Sequence, residues 1–363
     1  MKTVSPAICS GSAFISMALK SDGTVWAWGV GTLGDGVKRK RHNPVQVKDL
    51  SEVTAIATRQ ALRADGTVWT WGGNRFGACG DGTNSPRLSP VQVNGLNGVI
   101  AISEGLAVRE DGKVWAWGSN DFGQLGDGTT KDSRTPVQVQ NIGGITDVAK
   151  GGVKYSLALH EDGTVWAWGN NENGNLGDGT YENRPTPKQV QGLNGVAAIA
   201  AYHNSFALRK DGTVWAWGNN LFGQLGDGTT VHRSTPVQVQ GIDGVIAISA
   251  GSAHTLALKN DGTIWAWGSN TYGKLGNGTY TVIDVAANQF PSNPNPIKIH
   301  EINEAIAISA GTQHSLTLKS DGTVWAWGRN TDGELGDGTL IDKYIPVRVV
   351  GPGKKGFLNL NTE

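Results

Sequence analysis

The chain has 363 residues, with 31 Lys or Arg and 31 Asp or Glu, so its formal charge is zero. This balance excludes the overall basic field that draws proteins onto nucleic acids or anionic membranes. No run of 18 apolar residues occurs, so no membrane insertion is predicted, and the first residues, MKTVSPAICSGS, contain no apolar stretch long enough for a signal peptide.

The composition favours strands over helices. The chain has 53 Gly and 14 Trp, and it lacks the clusters of Leu, Glu and Lys that build amphipathic helices. Its two cysteines, Cys9 and Cys79, are predicted to be small buried hydrophobes, because one pair at unrelated positions is neither a disulfide framework nor a metal-binding pattern. The sequence therefore predicts an all-β protein.

A repeated segment, DGTVWAWG with close variants, divides the chain into seven units. The copies are 43 residues apart between Asp22 and Asp65, and 60 apart between Asp261 and Asp321; the other starts are Asp111, Asp162 and Asp211. This spacing is typical of a four-stranded propeller blade. We predict a seven-bladed β-propeller with four antiparallel strands per blade, in one domain spanning 1–351 and followed by a tail, 352–363. The blades are approximately 5–50, 51–97, 98–144, 145–195, 196–244, 245–303 and 304–350.

Each blade is predicted to contain strands A to D in chain order. In the sixth unit, 245–249 alternates as strand A, 255–259 forms strand B and 263–268 forms strand C; PVQV, as at 236–239, begins strand D at its Pro. The Asp-Gly between strands B and C predicts a tight type I′ turn. In strand C the two Trp share one face, while Val and Ala share the other. Large side chains of one blade are therefore expected to meet small ones of the next.

Sequence variation among the copies collects in the A-to-B and C-to-D loops, which antiparallel strands place together on one face, called here the loop face. Blade 1 has a short C-to-D loop followed by the basic run 38–42. Blades 2 and 3 have shortened A-to-B loops, and blade 6 has an insertion at about 280–296. Variable loops and their aromatic or Arg residues are where recognition is expected, although solvated basic loops and rings that plug the loops are alternatives. The candidate partner-binding residues are Phe76, Phe122, Phe222, Tyr272, Tyr155, Tyr202, His203, Arg39, Arg41 and Phe290.

The sequence contains no motif for catalysis, cofactor binding or metal binding, so we predict that the protein is not an enzyme and has no cofactor. The recurring Asp of LGDGT predicts Asx turns rather than calcium sites, and the most calcium-like stretch is 171–175. His254 and His314 are expected to bond loop backbone. Glu104 and Asp147 on the channel side are isolated acids, which leaves no paired-carboxylate site.

The motifs AGxxHxLAL, DGTVWAWG, NxxGQLGDGT and TPVQV resemble repeats of the regulator of chromosome condensation family in its bacterial form, over residues 5–350. The resemblance implies a propeller that acts as a monomeric, non-enzymatic scaffold and binds another protein through the loop face. An exported bacterial protein is the corresponding expectation for localisation.

Alternative functions come from other propellers. The chain is more distantly similar to propeller-type β-lactamase inhibitory proteins, which suggests inhibition of a secreted or periplasmic enzyme, and a glycan-binding or glycan-processing propeller is also open. Guanine-nucleotide exchange with chromatin binding is disfavoured, because no early insertion or basic tail is present. Ultraviolet sensing is disfavoured because the Trp-Arg-His loop motif is missing.

Overall fold

Seven four-stranded antiparallel sheets make up the described part of the chain, residues 4–11, 14–152, 154–282 and 291–361 of a computed structural model. Blades 1 to 3 comprise β1 (Ala7–Ser10), β2 (Ile15–Leu19), β3 (Val25–Gly29) and β4 (Arg41–Gln46); β5 (Val53–Ala57), β6 (Gln60–Arg63), β7 (Val68–Gly72) and β8 (Arg87–Gln92); and β9 (Val99–Ser103), β10 (Leu106–Arg109), β11 (Val114–Gly118) and β12 (Ser133–Gln138).

Blades 4 to 7 follow the same order, and only two short 3₁₀ turns, Arg75–Gly77 and Pro352–Lys354, interrupt the described all-β pattern. Their strands are β13 (Ile145–Gly151), β14 (Tyr155–His160), β15 (Val165–Gly169) and β16 (Arg184–Gln189); β17 (Val196–Ala201), β18 (Asn204–Arg209), β19 (Val214–Gly218) and β20 (Arg233–Gln238); β21 (Val245–Ala250), β22 (His254–Lys259), β23 (Ile264–Gly268) and β24 (Asn293–Lys298); and β25 (Ala305–Ala310), β26 (His314–Lys319), β27 (Val324–Gly328) and β28 (Lys343–Arg348). The prediction of a seven-bladed propeller is confirmed.

The Trp pairs of strand C hold neighbouring blades together. In each copy the second Trp is buried and the first is half-buried. Trp69 and Trp71 of blade 2 pack on the Val and Ala side of blade 1, and Trp28 of blade 1 packs on Val324 of blade 7. Large residues therefore meet small ones across every such interface described, as expected. Since blade 1 contacts blade 7 in this way, the same packing closes the ring.

Polar bonds reinforce each blade interface. The carbonyl oxygen of Gln124, in the C-to-D loop of blade 3, accepts hydrogen bonds from Ser156 Oγ and Trp168 Nε1 of blade 4, both at 3.0 Å. The pattern recurs around the ring, with Asn175, Gln224, Lys274 and Glu334 as acceptors. Buried donors and acceptors are thereby paired, which avoids the cost of desolvating them without a partner.

Two local predictions were wrong. The turn between strands B and C is not type I′, because Gly262 alone among 260–262 has a positive φ, at 77°. Gly262 N–H donates to Lys259 O, which is a type I turn followed by a left-handed Gly. Strand D also begins earlier than its Pro: β20 starts at Arg233, and Pro236 lies in a bulge where the register shifts and no ladder bond is required.

The C-to-D loops are held by a buried Asn. Asn120 Nδ2 donates to Asp127 Oδ1, Thr129 O and Lys131 O, while its Oδ1 accepts Leu125 N–H at 2.9 Å. Asp127 in turn accepts Thr129 N–H at 3.0 Å, so the predicted Asx turn is present. An equivalent Asn holds the C-to-D loop in blades 2 and 4 to 7 through most of the same bonds, with Asn277 in place of the Asp in blade 6. In blade 4 this residue is Asn171, from the calcium-like stretch.

The C-terminal segment packs against both the first and the last blade. Leu358 and Leu360 are buried, at 2% and 0% exposure, in the cluster that contains Trp28 and Val324. Leu360 N–H donates to Gly322 O of blade 7, and Leu360 O accepts Ser21 N–H of blade 1, both at 2.9 Å. This segment therefore crosses the junction between the last and first blades.

Candidate binding face

A central cavity of about 280 Å³ is lined by the A strands of all seven blades. The A-strand positions nearest the loop face differ among blades. Blades 5, 6 and 7 place Ala201, Ala250 and Ala310 there, whereas blades 3 and 4 place Glu104 and Lys150. The two neighbouring charged residues therefore mark one side of an otherwise small-residue rim.

The loops close only part of the channel mouth. Tyr202 Oη of blade 5 lies 3.0 Å from Thr312 Oγ1 of blade 7, and Ser252 Oγ of blade 6 donates to Thr312 O at 2.6 Å. In blades 2 and 3, by contrast, the A-to-B hairpin is shorter, as predicted: the paired residues Ile56 and Ala61 of blade 2 are five positions apart, whereas the equivalent pair of blade 5, Ile199 and Ala207, is eight apart. Blade 3 matches blade 2. The mouth is therefore covered on the side of blades 5 to 7 and low on the side of blades 2 and 3.

A second cavity, of about 220 Å³, adjoins the first on this low side. Phe76, Ala78 and Trp117 give it an apolar wall, and it shares Glu104 and Lys150 with the central cavity. The two cavities together form a groove with one polar and one apolar half, called here the blade 2–4 groove.

Two cationic side chains, Lys150 and Arg75, line this groove together with the carboxylate of Glu104. Burial lowers the pKa of Lys150 to about 8, although the Glu104 carboxylate partly offsets this effect. Burial likewise lowers the pKa of the nearby Arg59 guanidinium, and the Glu104 carboxylate again partly offsets this effect. Lys150 Nζ lies 3.4 Å from Ser156 Oγ, and Arg75 lines the apolar half. Cationic groups therefore outnumber carboxylates along the groove.

Two of the predicted aromatic residues are exposed beside cations. Phe76 is 39% exposed, with the Arg75 guanidinium 4.6 Å from its ring centroid; Tyr272 is 38% exposed, with Arg329 at 6.0 Å. Both have left-handed backbones, with φ of 63° and 61°, which is strained for a residue with a side chain.

The other two aromatic residues at the same loop position are half-buried. Phe122 and Phe222 each donate a backbone N–H, at 2.9 Å, to the side chain of the Gln two residues later. Lys154 Nζ lies 5.2 Å from the Phe122 ring centroid. These rings partly fill their loops, whereas those of Phe76 and Tyr272 project outward.

The candidate residues of the A-to-B loops also differ in exposure. Tyr202 and His203 make an edge-to-face contact at 4.9 Å, and His203 is exposed. Placing Tyr155 on the surface was wrong: it is 1% exposed and begins β14, where its hydroxyl is hydrogen-bonded to Ser205 Oγ of blade 5 at 2.9 Å. Tyr155 therefore belongs to the interface between blades.

The basic run of blade 1 is partly engaged within the protein. Arg41 Nε donates to Asp35 Oδ2 at 2.9 Å, which repeats the pairing of Arg87 with Asp81 in blade 2. Lys40 pairs with Asp332 at 2.5 Å, and Arg39 is exposed. Phe290 lies outside the described residues.

The predicted backbone bonding of His254 and His314 was wrong. Each Nε2 is hydrogen-bonded to a hydroxyl of the next blade, His254 to Ser315 at 2.9 Å and His314 to Ser16 at 2.8 Å. Because Ser315 Oγ already donates to Lys274 O, the histidine must donate through Nε2–H. No group of three or more His, Cys, Asp or Glu that could hold a metal occurs within the described ranges.

Sequence reasoning missed Lys150 and Arg75 as members of the site. The available signal was positional: aligning the copies places Lys150 and Glu104 where three other blades have Ala. Without that alignment of the copies, Glu104 stands out only as an isolated acid.

No helix in the described part of the chain is long and apolar enough to cross a membrane.

Comparison with known proteins identifies relatives of this chain. Over 200 residues it is 31% identical to the ultraviolet-B receptor UVR8 of Arabidopsis thaliana, covering 54% of this chain and 44% of the receptor. Over 64 residues it is 38% identical to the human RCC1-like G exchanging factor-like protein, covering 17% and 14% of the two chains. The chain thus spans less than half the length of these curated relatives. The crystal structure of Prp20p from Saccharomyces cerevisiae is similar with a TM-score of 0.78 and 25% identity, over 92% of this chain and 87% of that one.

The family match covers most of the chain. Repeats described as "Regulator of chromosome condensation (RCC1) repeat" match residues 65–105, 111–159, 162–206, 211–258, 261–318 and 321–359. Each segment begins at the Asp that precedes strand C of one blade, and the first five continue into the next blade, so the matched repeats are offset from the structural blades. The chain therefore belongs to the regulator of chromosome condensation (RCC1) repeat family.

Proposed function

We propose that the protein is a non-enzymatic scaffold that binds another protein through the loop face, around the low side of the channel mouth. The observation that carries this proposal is the exposure of Phe76 on the rim of the blade 2–4 groove, against the Arg75 guanidinium. Aromatic and Arg side chains dominate the binding energy of protein interfaces, particularly beside pockets.

Rigidity of the surrounding loops supports the proposal. Asn74, the blade 2 counterpart of Asn120, is buried. It precedes Phe76 and bonds to residues that follow it, namely Cys79, Asp81 and Thr83, so its side chain bridges the loop. A loop fixed in this way loses little conformational entropy on binding, which favours affinity. The left-handed backbone of Phe76 is consistent with a ring held in position for contact.

The relatives support a binding role of the same broad kind. UVR8 is a receptor by name, and Prp20p has binding properties to Gsp1p and histones. These are properties of those proteins. For this chain they support the binding of a protein partner without identifying that partner.

The proposal can be tested by affinity capture with matched variants. Wild type, Phe76→Ala/Tyr272→Ala, and Ile100→Ala/Ile246→Ala would be immobilised and exposed to lysate and culture medium, and captured proteins identified by mass spectrometry. Ile100 and Ile246 are 54% and 56% exposed near the start of strand A, at the opposite end of the channel, so they control for loss of exposed apolar surface.

We expect wild type and the isoleucine variant to capture the same protein, and the aromatic variant to lose it by at least tenfold. Equal capture by all three proteins, or loss only in the isoleucine variant, would refute binding through the loop face. Unchanged near-ultraviolet circular dichroism would show that the variants remain folded.

A further inference from the structure

The blade 2–4 groove has the size and the chemistry of a small-molecule site. Its two halves, of about 280 and 220 Å³, share Glu104, Lys150 and Gly152. Small-molecule sites are typically cavities with an apolar wall and a few polar groups that orient the ligand. The groove has both features.

The charged residues of the groove are not needed by the fold. Strand A ends with Ala201, Ala250 and Ala310 at the positions that correspond to Glu104 and Lys150. Those blades form the same four-stranded sheets. An ammonium group at this place is costly to desolvate, so a structural role alone would favour Ala there as well.

The charge of the groove selects the ligand. The second cavity is lined by two cationic side chains, Lys150 and Arg75, and by one carboxylate, that of Glu104, so an anion is favoured over a cation. Serine hydroxyls on the polar wall add hydrogen-bond donors suited to an anionic oxygen; these are Ser10, Ser103, Ser249 and Ser309.

The apolar half determines the rest of the molecule. Phe76, Ala78 and Trp117 border a space beside Lys150 that accommodates an aromatic ring or a short hydrocarbon chain. Trp117 is 2% exposed and its Nε1 is bonded to Ala78 O at 3.1 Å, so this wall is fixed. The ligand therefore has an anionic end and a compact apolar body.

We propose that the blade 2–4 groove binds a small carboxylic acid, with the carboxylate on the Lys150 ammonium and the apolar body between Phe76 and Trp117. This site shares Phe76 with the proposed protein-binding surface, but its test uses the protein alone, so either proposal can fail without the other.

The test uses matched ligands that differ only in charge. Binding of 3-phenylpropionate, hexanoate and indole-3-propionate would be measured by saturation-transfer NMR and calorimetry, each acid against its own primary amide. Wild type would be compared with Lys150→Ala, Lys150→Gln and Lys188→Gln. The Ala variant has the residue found in blades 5 to 7, and Lys188 is an exposed lysine on the outer strand of the same blade.

We expect at least one acid to bind at least tenfold more tightly than its amide, because the carboxylate, unlike the amide, forms a charge-assisted hydrogen bond with the Lys150 ammonium. Both Lys150 variants should abolish this preference, Lys188→Gln should retain it, and Phe76→Ala should weaken acid and amide alike. Equal binding of acid and amide, no binding of any acid, or an unchanged preference in folded Lys150 variants would overturn the proposal.

Discussion

Replacing the two buried histidines by Asn should make the propeller more resistant to mild acid. His254 and His314 occupy the first position of strand B, where blade 5 has Asn204, a neutral residue that the same backbone accommodates. Burial lowers the pKa of both imidazoles, to about 3 for His314. The unfolded chain, with a pKa near 6.5, therefore binds protons that the folded chain does not.

The sign and size of the effect follow from this difference. The contribution of these two histidines to the free energy of unfolding is greatest above pH 6.5 and falls as the pH drops from 6.5 towards 3. In that window the two imidazoles are protonated in the unfolded chain and neutral in the folded one. For His314 the loss amounts to about 2 kcal/mol at pH 5, at 1.36 kcal/mol per pH unit. His254 adds a loss of the same sign.

The assay is urea unfolding at pH 7.0 and pH 5.0, followed by Trp fluorescence, for wild type and His254→Asn/His314→Asn. The midpoint of wild type should fall clearly between the two pH values, and that of the variant should fall much less. The depressed pKa values of the turn carboxylates affect both proteins equally and act below pH 3.8. An equal fall in the two midpoints would show that the histidines are not the acid-sensitive groups.

Three other outcomes are expected. Leu358→Ala should lower the free energy of unfolding by about 2–5 kcal/mol in chemical denaturation, whereas Phe357→Ala, 53% exposed, should change it little; equal effects would contradict the role of the segment at the blade junction. Asn120→Ala should accelerate hydrogen exchange across 120–131 of blade 3 without a comparable change in blade 5, and uniform exchange would argue against a loop-holding role. In ¹³C-methylated protein, the Lys150 amine should titrate near pH 8, and Glu104→Gln should lower its pKa further, since the carboxylate raises it; an upward shift would refute that electrostatic assignment.

The fold was predictable because its signal is local and repeated seven times. The alternation of Val, Trp, Ala and Trp fixes which face of strand C packs on which neighbour, and loop lengths can be counted directly. The turn type was missed because Asp-Gly is compatible with two turns, and the backbone of the preceding residue decides between them.

The site was less predictable because its contacts join residues far apart in the chain. Sequence reasoning places Tyr155 and His254 in loops, yet each begins a strand and bonds to the next blade, 50 and 61 residues away. Lys150 shares the groove with Phe76 only because their blades are nearly adjacent in the ring. Such proximity follows from ring geometry rather than from any pattern within a single repeat.

The ends of the seven A strands form the rim of the channel, and the residues there can be substituted without changing the blades. Each blade contributes one residue to this rim, at the end of its strand A and on an equivalent backbone. The channel rim therefore has seven positions that can be substituted one at a time. They are Ser10, Thr58, Glu104, Lys150, Ala201, Ala250 and Ala310. Substitutions at well-separated sites have nearly additive effects on stability. Changes on distant blades should therefore combine nearly additively, whereas neighbours such as Glu104 and Lys150 interact, so different charge patterns can be placed around the channel on one unchanged backbone.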